Sequence, residues 1–200
     1  MLLHIDAERV RELRHKTGAG MMNCKKALLE SNGNFEEAIK SLREKGQASA
    51  HQKINRKTVE GIVNSYIHIG GRIGVLIEVN CETDFVARRE EFQELVQSIA
   101  MQIAACPDVL YITSVDIPED VFLAEKAIES GKDDVDNKPE DIKEKIILGR
   151  VEKTLKNLTL LEQPFIKDTS ITVDELIKDK ISLFGENIRI KRFTRYTIGN

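Results

Sequence analysis

The side chains that could do chemistry are spread along this chain without the spacings that a catalytic or metal site requires. Four histidines, three cysteines and thirty-three acidic residues are present, but there is no GxxxxGK[ST] phosphate loop, no HExxH or CxxC metal motif and no GxSxG nucleophile motif. A catalytic carboxylate pair is defined in space, so the acids alone do not identify one. We therefore predict that the protein is not an enzyme, uses no cofactor and holds no metal, and that its function lies in its surfaces.

The glycines and cysteines support the same prediction. Gly70, Gly71 and Gly74 lie in a predicted hairpin rather than at the start of a helix, where backbone amides bind phosphate. The cysteines are odd in number, widely spaced and each embedded in an apolar pattern. This arrangement is typical of reduced thiols in a reducing compartment.

Composition indicates an ordinary globular chain of one or two domains. The 200 residues are 41% hydrophobic and 32% charged, which is enough apolar material for a core. A net charge of -3 gives no large positive field, so we expect no direct nucleic-acid partner. The N-terminus lacks a signal-like leader and no apolar run reaches transmembrane length. We expect no membrane association and a protein that stays where it is made.

Residues 1–54 are predicted to form a three-helix module followed by a linker. Asp6 is expected to cap the first helix, and the third is expected to begin at Asn34 and to end at Gly46. Three residues recur at helical spacing in the second helix: Met21, Cys24 and Leu28.

Residues 55–200 are predicted to form a second, larger domain. Apolar residues alternate over 62–81 around Gly70-Gly71, which predicts a β-hairpin, and a helical stripe over 92–104 is expected to cover it. Further helices follow, and "NIRIKRFTRYTI" is predicted to be a closing strand. The predicted fold class is α+β: a small helical module joined to a core whose antiparallel sheet is covered by helices.

The stretch "NCETDFVARRE" joins the hairpin to the next helix and places an aromatic residue in the turn. Thr83 or Asp84 can cap that helix, while Phe85 and Val86 lie in its first turn. Two interpretations of Phe85 fit the pattern equally well. The ring either folds back onto the core as a hydrophobic staple or projects as an anchor for a partner.

Two further stretches are candidate surfaces. Met21 and Met22 cannot both face inward on one helix, so one is expected to be exposed, unless the linker partly buries Met22. In "RIKRFTRY", cations alternate with aromatic residues, as in strands that bind RNA, but the same cations also protect an exposed strand from aggregation. The cations are Arg189, Lys191, Arg192 and Arg195, and the aromatic residues are Phe193 and Tyr196.

Two of these stretches resemble a known family. "LRHKTGAGMMNCKKALLESNGNFEEAI" and "EVNCETDFVAR" are similar to the two signatures of elongation factor Ts, the guanine-nucleotide exchange factor of the translation factor Tu. The resemblance extends through "IAMQIAA", "EQPFI" and "GENIRIKRF", so it covers essentially the whole chain. It implies a fold of the ubiquitin-associated type for the N-terminal module, and no catalysis of bond chemistry.

The resemblance also implies a role for the turn. In relatives, the residues matching the turn enter the GTPase domain of GDP-bound elongation factor Tu, where the aromatic wedges between helices and disturbs the bound magnesium. Losing that cation uncovers phosphate charge and weakens nucleotide binding. The matching residues here are Thr83, Asp84, Phe85 and Val86. Three more matching residues grip the same domain elsewhere: Leu13, Met21 and Met22.

Long members of that family have two similar core halves, whereas this chain has room for one. Short relatives compensate by pairing, so the resemblance implies a homodimer that binds two partner molecules. "YIHIGGRIGV" is similar to the hairpin by which the second core half of long members approaches the partner, which makes His68 a candidate contact. We expect a bacterial cytoplasmic protein, although an organelle-encoded copy, for example in the plastid stroma, would have the same sequence features.

Overall fold

The fold combines helices with small antiparallel sheets, which confirms the predicted α+β class. The computed structural model describes residues 5–136 and 139–199. Its helices are α1 (Ala7–Thr17), α2 (Met21–Glu30), α3 (Phe35–His51), α4 (Asp84–Ala87), α5 (Glu90–Ala105), α6 (Glu119–Ser130), α7 (Asp133–Asp136), α8 (Glu140–Leu158) and α9 (Val173–Phe184). Its strands are β1 (Glu60–Ile67), β2 (Ile73–Cys81), β3 (Pro164–Phe165), β4 (Asp168–Thr172) and β5 (Arg189–Thr197).

The three predicted N-terminal helices are present. The Asp6 carboxylate caps α1 by accepting a hydrogen bond from the Glu8 amide at 3.1 Å. Asn34 caps α3 in the same way, since its side-chain oxygen accepts from the amides of Glu36 and Glu37. The buried core of this module consists of Val10, Leu13, Cys24, Ala27, Leu28 and Ala38.

The predicted end of the third helix at Gly46 was wrong, because α3 continues to His51. A Cβ atom at Gly46 would lie 3.2 Å from the hydroxyl oxygen of Ser182 in α9. The close packing of α3 against α9 therefore explains why a glycine lies at position 46. A glycine inside a helix costs about 1 kcal/mol relative to alanine, which is too little to end a well-packed helix.

The predicted hairpin and closing strand are also present, in a three-stranded sheet of order β1-β2-β5. At the turn, the His68 amide donates to the Ile73 carbonyl and the Gly71 amide donates to the His68 carbonyl. The side chain of Asn64 in β1 donates to Gln97 in α5 at 3.1 Å, which ties the hairpin to the helix predicted to cover it. Every second residue of the central strand is buried: Val75, Ile77, Val79 and Cys81.

Two features of the second half were not predicted. Strands β3 and β4 form a two-stranded sheet, and β3 is too short to show a hydrophobic period. Gln102 of α5 is fully buried beside it, where it donates to the Pro164 carbonyl and accepts from the Ile166 amide. The acidic stretch over residues 130–141 contains the short helix α7, and its residues 137–138 lie outside the described residues.

Packing groups the chain into two compact units. The first combines the N-terminal segment up to Ile62 with Val79–Gln93 and Glu175–Arg189. The second combines Val63–Glu78 and Glu94–Asp174 with the segment from Ile190 onward. The first unit thus includes both the helical module and the turn around Phe85. The predicted domain boundary, 1–54 against 55–200, stays a prediction, since each unit is built from several separate segments.

Candidate partner-binding site

The turn after β2 carries Phe85 on its outer side. Phe85 is 79% exposed, whereas its neighbours Val86 and Ala87 are 6% and 5% exposed. The two buried side chains face inward, and the phenyl ring therefore projects into solvent. The ring therefore does not fold back onto the core as a staple, and its use as an anchor for a partner stays a prediction.

The turn is a helix of its own, which the sequence did not predict. Helix α4 ends at Ala87, and α5 begins at Glu90. The long amphipathic helix therefore does not carry Phe85. Asp84 lies at the start of α4, where its carboxylate is 2.9 Å from the Arg88 guanidinium one turn later. Both side chains are largely exposed, so this pair adds little stability.

Thr83 precedes α4, but its hydroxyl bonds a different partner from the one predicted. It donates to Oε1 of Glu186 at 2.6 Å instead of accepting from the helix amides. The other carboxylate oxygen of Glu186 accepts from the backbone amides of Glu82 and Thr83, at 3.1 and 3.0 Å. The predicted cap is therefore not formed, and the Glu186 carboxylate, which follows α9, instead holds the peptide that leads into α4.

A second set of bonds runs in the opposite direction. The Glu82 carboxylate accepts from the Asn187 amide at 2.6 Å. The side chain of Asn187, only 2% exposed, donates to the carbonyls of Ile54 and Arg56 at 3.0 and 2.8 Å. Two adjacent residues, Glu186 and Asn187, therefore link the turn to the segment that follows the helical module.

The other end of the turn is fixed by Arg89. Its guanidinium lies 4.9 Å from the centre of the Phe184 ring and 2.9 Å from the Glu91 carboxylate. The Glu91 hydrogen bond holds the pKa of Arg89 above its ordinary value, and Arg89 in turn lowers the pKa of the Glu91 carboxyl. Phe184 also packs edge-on against Phe92, with the ring centres 6.2 Å apart. The turn is therefore held at both ends.

Cys81 ends β2 directly before the turn and is fully buried. Its thiol donates to the Thr83 carbonyl at 3.1 Å, and burial together with the nearby Glu186 raises its pKa to about 11. Burial also raises the pKa of the Cys106 thiol. Both thiols are protonated at neutral pH, which makes them poor nucleophiles.

The methionine pair lies at the start of α2. Met22 is 75% exposed and Met21 37% exposed, which confirms that at least one projects. Leu29, seven positions after Met22 and so on the same side of the helix, is also exposed and was not singled out from the sequence. Leu13 is different, because it is fully buried in the module core. It lies beneath α2 and does not form part of this surface.

His68 lies in the exposed hairpin turn of the second unit. Its Nδ1 atom is 3.0 Å from the Tyr66 hydroxyl, and the two rings are tilted against each other with centres 6.0 Å apart. This contact fixes the imidazole above the strand and leaves it accessible.

The basic strand β5 uses two of its four cations within the chain. Arg192 donates to the Glu78 carboxylate at 2.7 Å. Arg195 donates to the carbonyls of Ile103 and Cys106 at 3.3 and 2.7 Å, and also to that of Pro107. These bonds favour a structural role for the strand over RNA binding.

Nowhere in residues 5–136 and 139–199 do three or more His, Cys, Asp or Glu side chains come together as a metal-binding group. In the same part of the chain, no helix has both the length and the apolar character needed to cross a bilayer.

Comparison with known proteins identifies the family. Residues 7–200 match the family profile described as Elongation factor TS. The chain belongs to the elongation factor Ts family. Membership places it among the translation elongation factors, and the resemblance noted in the sequence is confirmed.

Individual relatives are similar over nearly the whole length of this chain. Elongation factor Ts of Rippkaea orientalis is 61% identical over 198 residues, which cover 99% of this chain and 80% of the relative. The protein of the same name from Synechococcus elongatus is 60% identical, with 99% and 90% covered. The chloroplastic elongation factor Ts of Guillardia theta is 57% identical over 199 residues, with 100% and 91% covered.

Proposed function

We propose that the protein is the guanine-nucleotide exchange factor of elongation factor Tu, and that Phe85 is its wedge. The observation that carries the proposal is a phenylalanine 79% exposed on a single helical turn held at both ends, in a chain of the elongation factor Ts family. Aromatic side chains that fill a partner's pocket carry much of the binding energy at protein interfaces, and an anchored turn presents the ring in a fixed direction.

In the proposed mechanism, the turn inserts into the GTPase domain of GDP-bound elongation factor Tu. Phe85 separates helices of that domain, with Thr83, Asp84 and Val86 forming the rest of the inserted turn. The separation moves the magnesium ion away from the phosphates. GDP then loses much of its electrostatic binding energy and dissociates, and GTP binds in its place. The chain itself makes and breaks no covalent bond.

The exposed methionines of α2, Met21 and Met22, form a second contact with the partner. Met22 and Met21 would contact the same GTPase domain, and flexible thioether side chains adapt well to such a surface. Leu13 would act from beneath, by holding α2 in place, since it has no exposed area of its own. Phe85 and these methionines belong to one compact unit.

We also propose that two copies pair through the exposed sheet face of the second unit. Large apolar side chains project from all three strands or their ends, and an open groove of about 470 Å³ lies among some of them. Such a face is larger than scattered surface apolar residues explain. In the pair, each copy would bind one elongation factor Tu, and His68 of one copy would contact the partner molecule gripped by the other. The projecting residues are Val63, Ile67, Leu76, Tyr196 and Ile198.

Relatives from cyanobacteria and plastids suggest where the protein acts. We propose the bacterial cytoplasm or, for an organelle-encoded copy, the plastid stroma. Both compartments are reducing, which agrees with the three free cysteines.

The exchange function is tested by stopped-flow release of fluorescent GDP from elongation factor Tu. We expect micromolar protein to accelerate release in a saturable way, while the same protein leaves an unrelated GTPase unaffected. No acceleration at saturating concentration would reject the function.

Pairing is tested separately by light scattering of the wild type and of Leu76→Glu, which places a charge on the sheet face. We expect a dimer and a monomer, respectively. A wild-type monomer at micromolar concentration would reject the pairing without affecting the exchange function.

A further inference from the structure

We infer that Glu186 is a positioning residue for nucleotide exchange: its carboxylate holds the turn that presents Phe85. The inference rests on the proposed exchange function and concerns how fast nucleotide is released once the partner is bound. Glu186 lies 101 positions from Phe85 in the sequence, but both belong to the first compact unit.

The Glu186 carboxylate accepts three hydrogen bonds from the segment that leads into α4. Oε2 accepts from two consecutive backbone amides, those of Glu82 and Thr83, at 3.1 and 3.0 Å. Oε1 accepts from the Thr83 hydroxyl at 2.6 Å. Three donors on one ionised group fix both the position and the orientation of the peptide that leads into α4. Bonds of this charge-assisted kind are about twice as strong as neutral ones.

Helix α4 cannot hold Phe85 in place by itself. It is a single turn of four residues, and a helix this short is not stable on its own. The Phe85 ring is largely in solvent, so packing does little to orient it. Its direction is set by the anchors of the turn: the buried Val86 and Ala87, Arg89 at one end and Glu186 at the other.

Glu186 is itself held firmly. Gly185, at φ 76°, ends α9 with its amide bonded to the Ile181 carbonyl, and Glu186 follows directly. The next residue, Asn187, donates its amide to the Glu82 carboxylate. Glu82 and Glu186 thus each accept from the other's segment. This reciprocal exchange ties the turn to the end of α9, and the Asn187 side chain ties that same end to the carbonyls of Ile54 and Arg56.

The kinetic test compares Glu186→Ala with Glu186→Gln. The alanine variant loses all three bonds, and we expect the maximal rate of GDP release to fall about 10- to 100-fold while the half-saturating concentration stays within about twofold. Glutamine can still accept from both amides with its oxygen and donate to the Thr83 hydroxyl with its nitrogen. We expect it to restore the rate to within about threefold of the wild type. Glu152→Ala, at an exposed position of α8, is the matched control and should behave as wild type.

A measurement without the partner separates this inference from the proposed function. Amide hydrogen exchange of residues 82–88 is expected to be faster in Glu186→Ala than in the wild type and slow again in Glu186→Gln. If wild-type protein does not accelerate GDP release from elongation factor Tu, the proposed function fails. The hydrogen-exchange measurement still tests whether Glu186 holds the turn. If wild-type protein is active and Glu186→Ala keeps its maximal rate, or shows only a raised half-saturating concentration, the positioning role is overturned.

Thr83→Val keeps the test decisive if Glu186→Ala does not fold. Within the chain it removes the hydroxyl bond to Glu186 and leaves the two amide bonds, and we expect a maximal rate lower by about three- to tenfold with unchanged half-saturation. A wild-type rate in a folded Thr83→Val would contradict the inference.

Discussion

Replacing Phe85 by alanine separates binding from folding, because the ring is 79% exposed. Fully burying a phenylalanine is worth about 1.5 to 3 kcal/mol. Only about a fifth of that acts within the folded chain, so the variant should lose roughly 0.3 to 0.6 kcal/mol of stability. For a protein of this size the melting temperature should then fall by no more than about 2 °C.

The remaining four-fifths of the burial is available to a partner. That share amounts to roughly 1.2 to 2.4 kcal/mol, equivalent to a loss of about 8- to 60-fold in a coupled equilibrium. Phe85→Ala should therefore lower the efficiency of GDP release by a factor in this range. Exchange on a tight nucleotide site needs more than this, so the larger share must come from lost magnesium and phosphate contacts.

The assay is stopped-flow GDP release, together with thermal unfolding of each variant. Phe85→Leu keeps apolar bulk without the ring and should fall between wild type and alanine. Val86→Ala should in addition lower stability by about 2 kcal/mol, because Val86 is buried and helps to hold the turn. Leu110→Ala removes an exposed apolar side chain elsewhere and serves as the control. Unchanged GDP release in Phe85→Ala would show that the ring is not the wedge, and a melting temperature lower by more than about 5 °C would show that the ring is part of the core.

Three further predictions concern helix α2 with the core beneath it, the Asp179 carboxyl and the Cys81 thiol. Met22→Ala should raise the half-saturating concentration several-fold at constant stability, whereas Leu13→Ala should cost about 2 to 5 kcal/mol in urea unfolding, because Leu13 is fully buried. Burial raises the pKa of Asp179 above its ordinary 3.8, so the folded state binds the proton more tightly and ionisation at pH 7 is unfavourable. Asp179→Asn should raise the melting temperature at pH 7 and lose that advantage at pH 3; equal effects at both would contradict this. The pKa of the Cys81 thiol is raised to about 11 from an ordinary 9.0. The wild type should therefore lose stability as the pH rises between these values, because the thiol ionises more readily in the unfolded state. Urea midpoints at pH 8 and 10.5 should show a smaller loss in Cys81→Ala.

Local pattern was sufficient to predict most of the elements. The hairpin follows from alternation around Gly70-Gly71, and the cap of α3 from Asn34. Gly46 was misinterpreted because a glycine that ends a helix and one that lets Ser182 approach look the same in sequence. Only the neighbouring helix distinguishes them, and that is a tertiary contact.

The candidate site was predictable in its residues but not in its support. Pattern placed Phe85 in a turn, and resemblance to the family suggested that it projects. No local signal connects Thr83 to Glu186, which lies 103 positions away and accepts from the Thr83 hydroxyl as well as from backbone amides that almost any residue carries. The stretch "GENIRIKRF" marked the region as similar to the family without indicating what it does. A bond of this kind becomes visible only when the fold brings the two segments together.

An exchange factor and GDP must weaken each other's binding to elongation factor Tu, and paired affinity measurements test directly whether this chain does so. The dissociation constant of the chain is measured on nucleotide-free and on GDP-saturated elongation factor Tu, and that of GDP with and without saturating chain. Because the coupling is reciprocal, both ratios should be equal and much greater than one. Equal affinity of the chain for nucleotide-free and for GDP-saturated elongation factor Tu would contradict the exchange function.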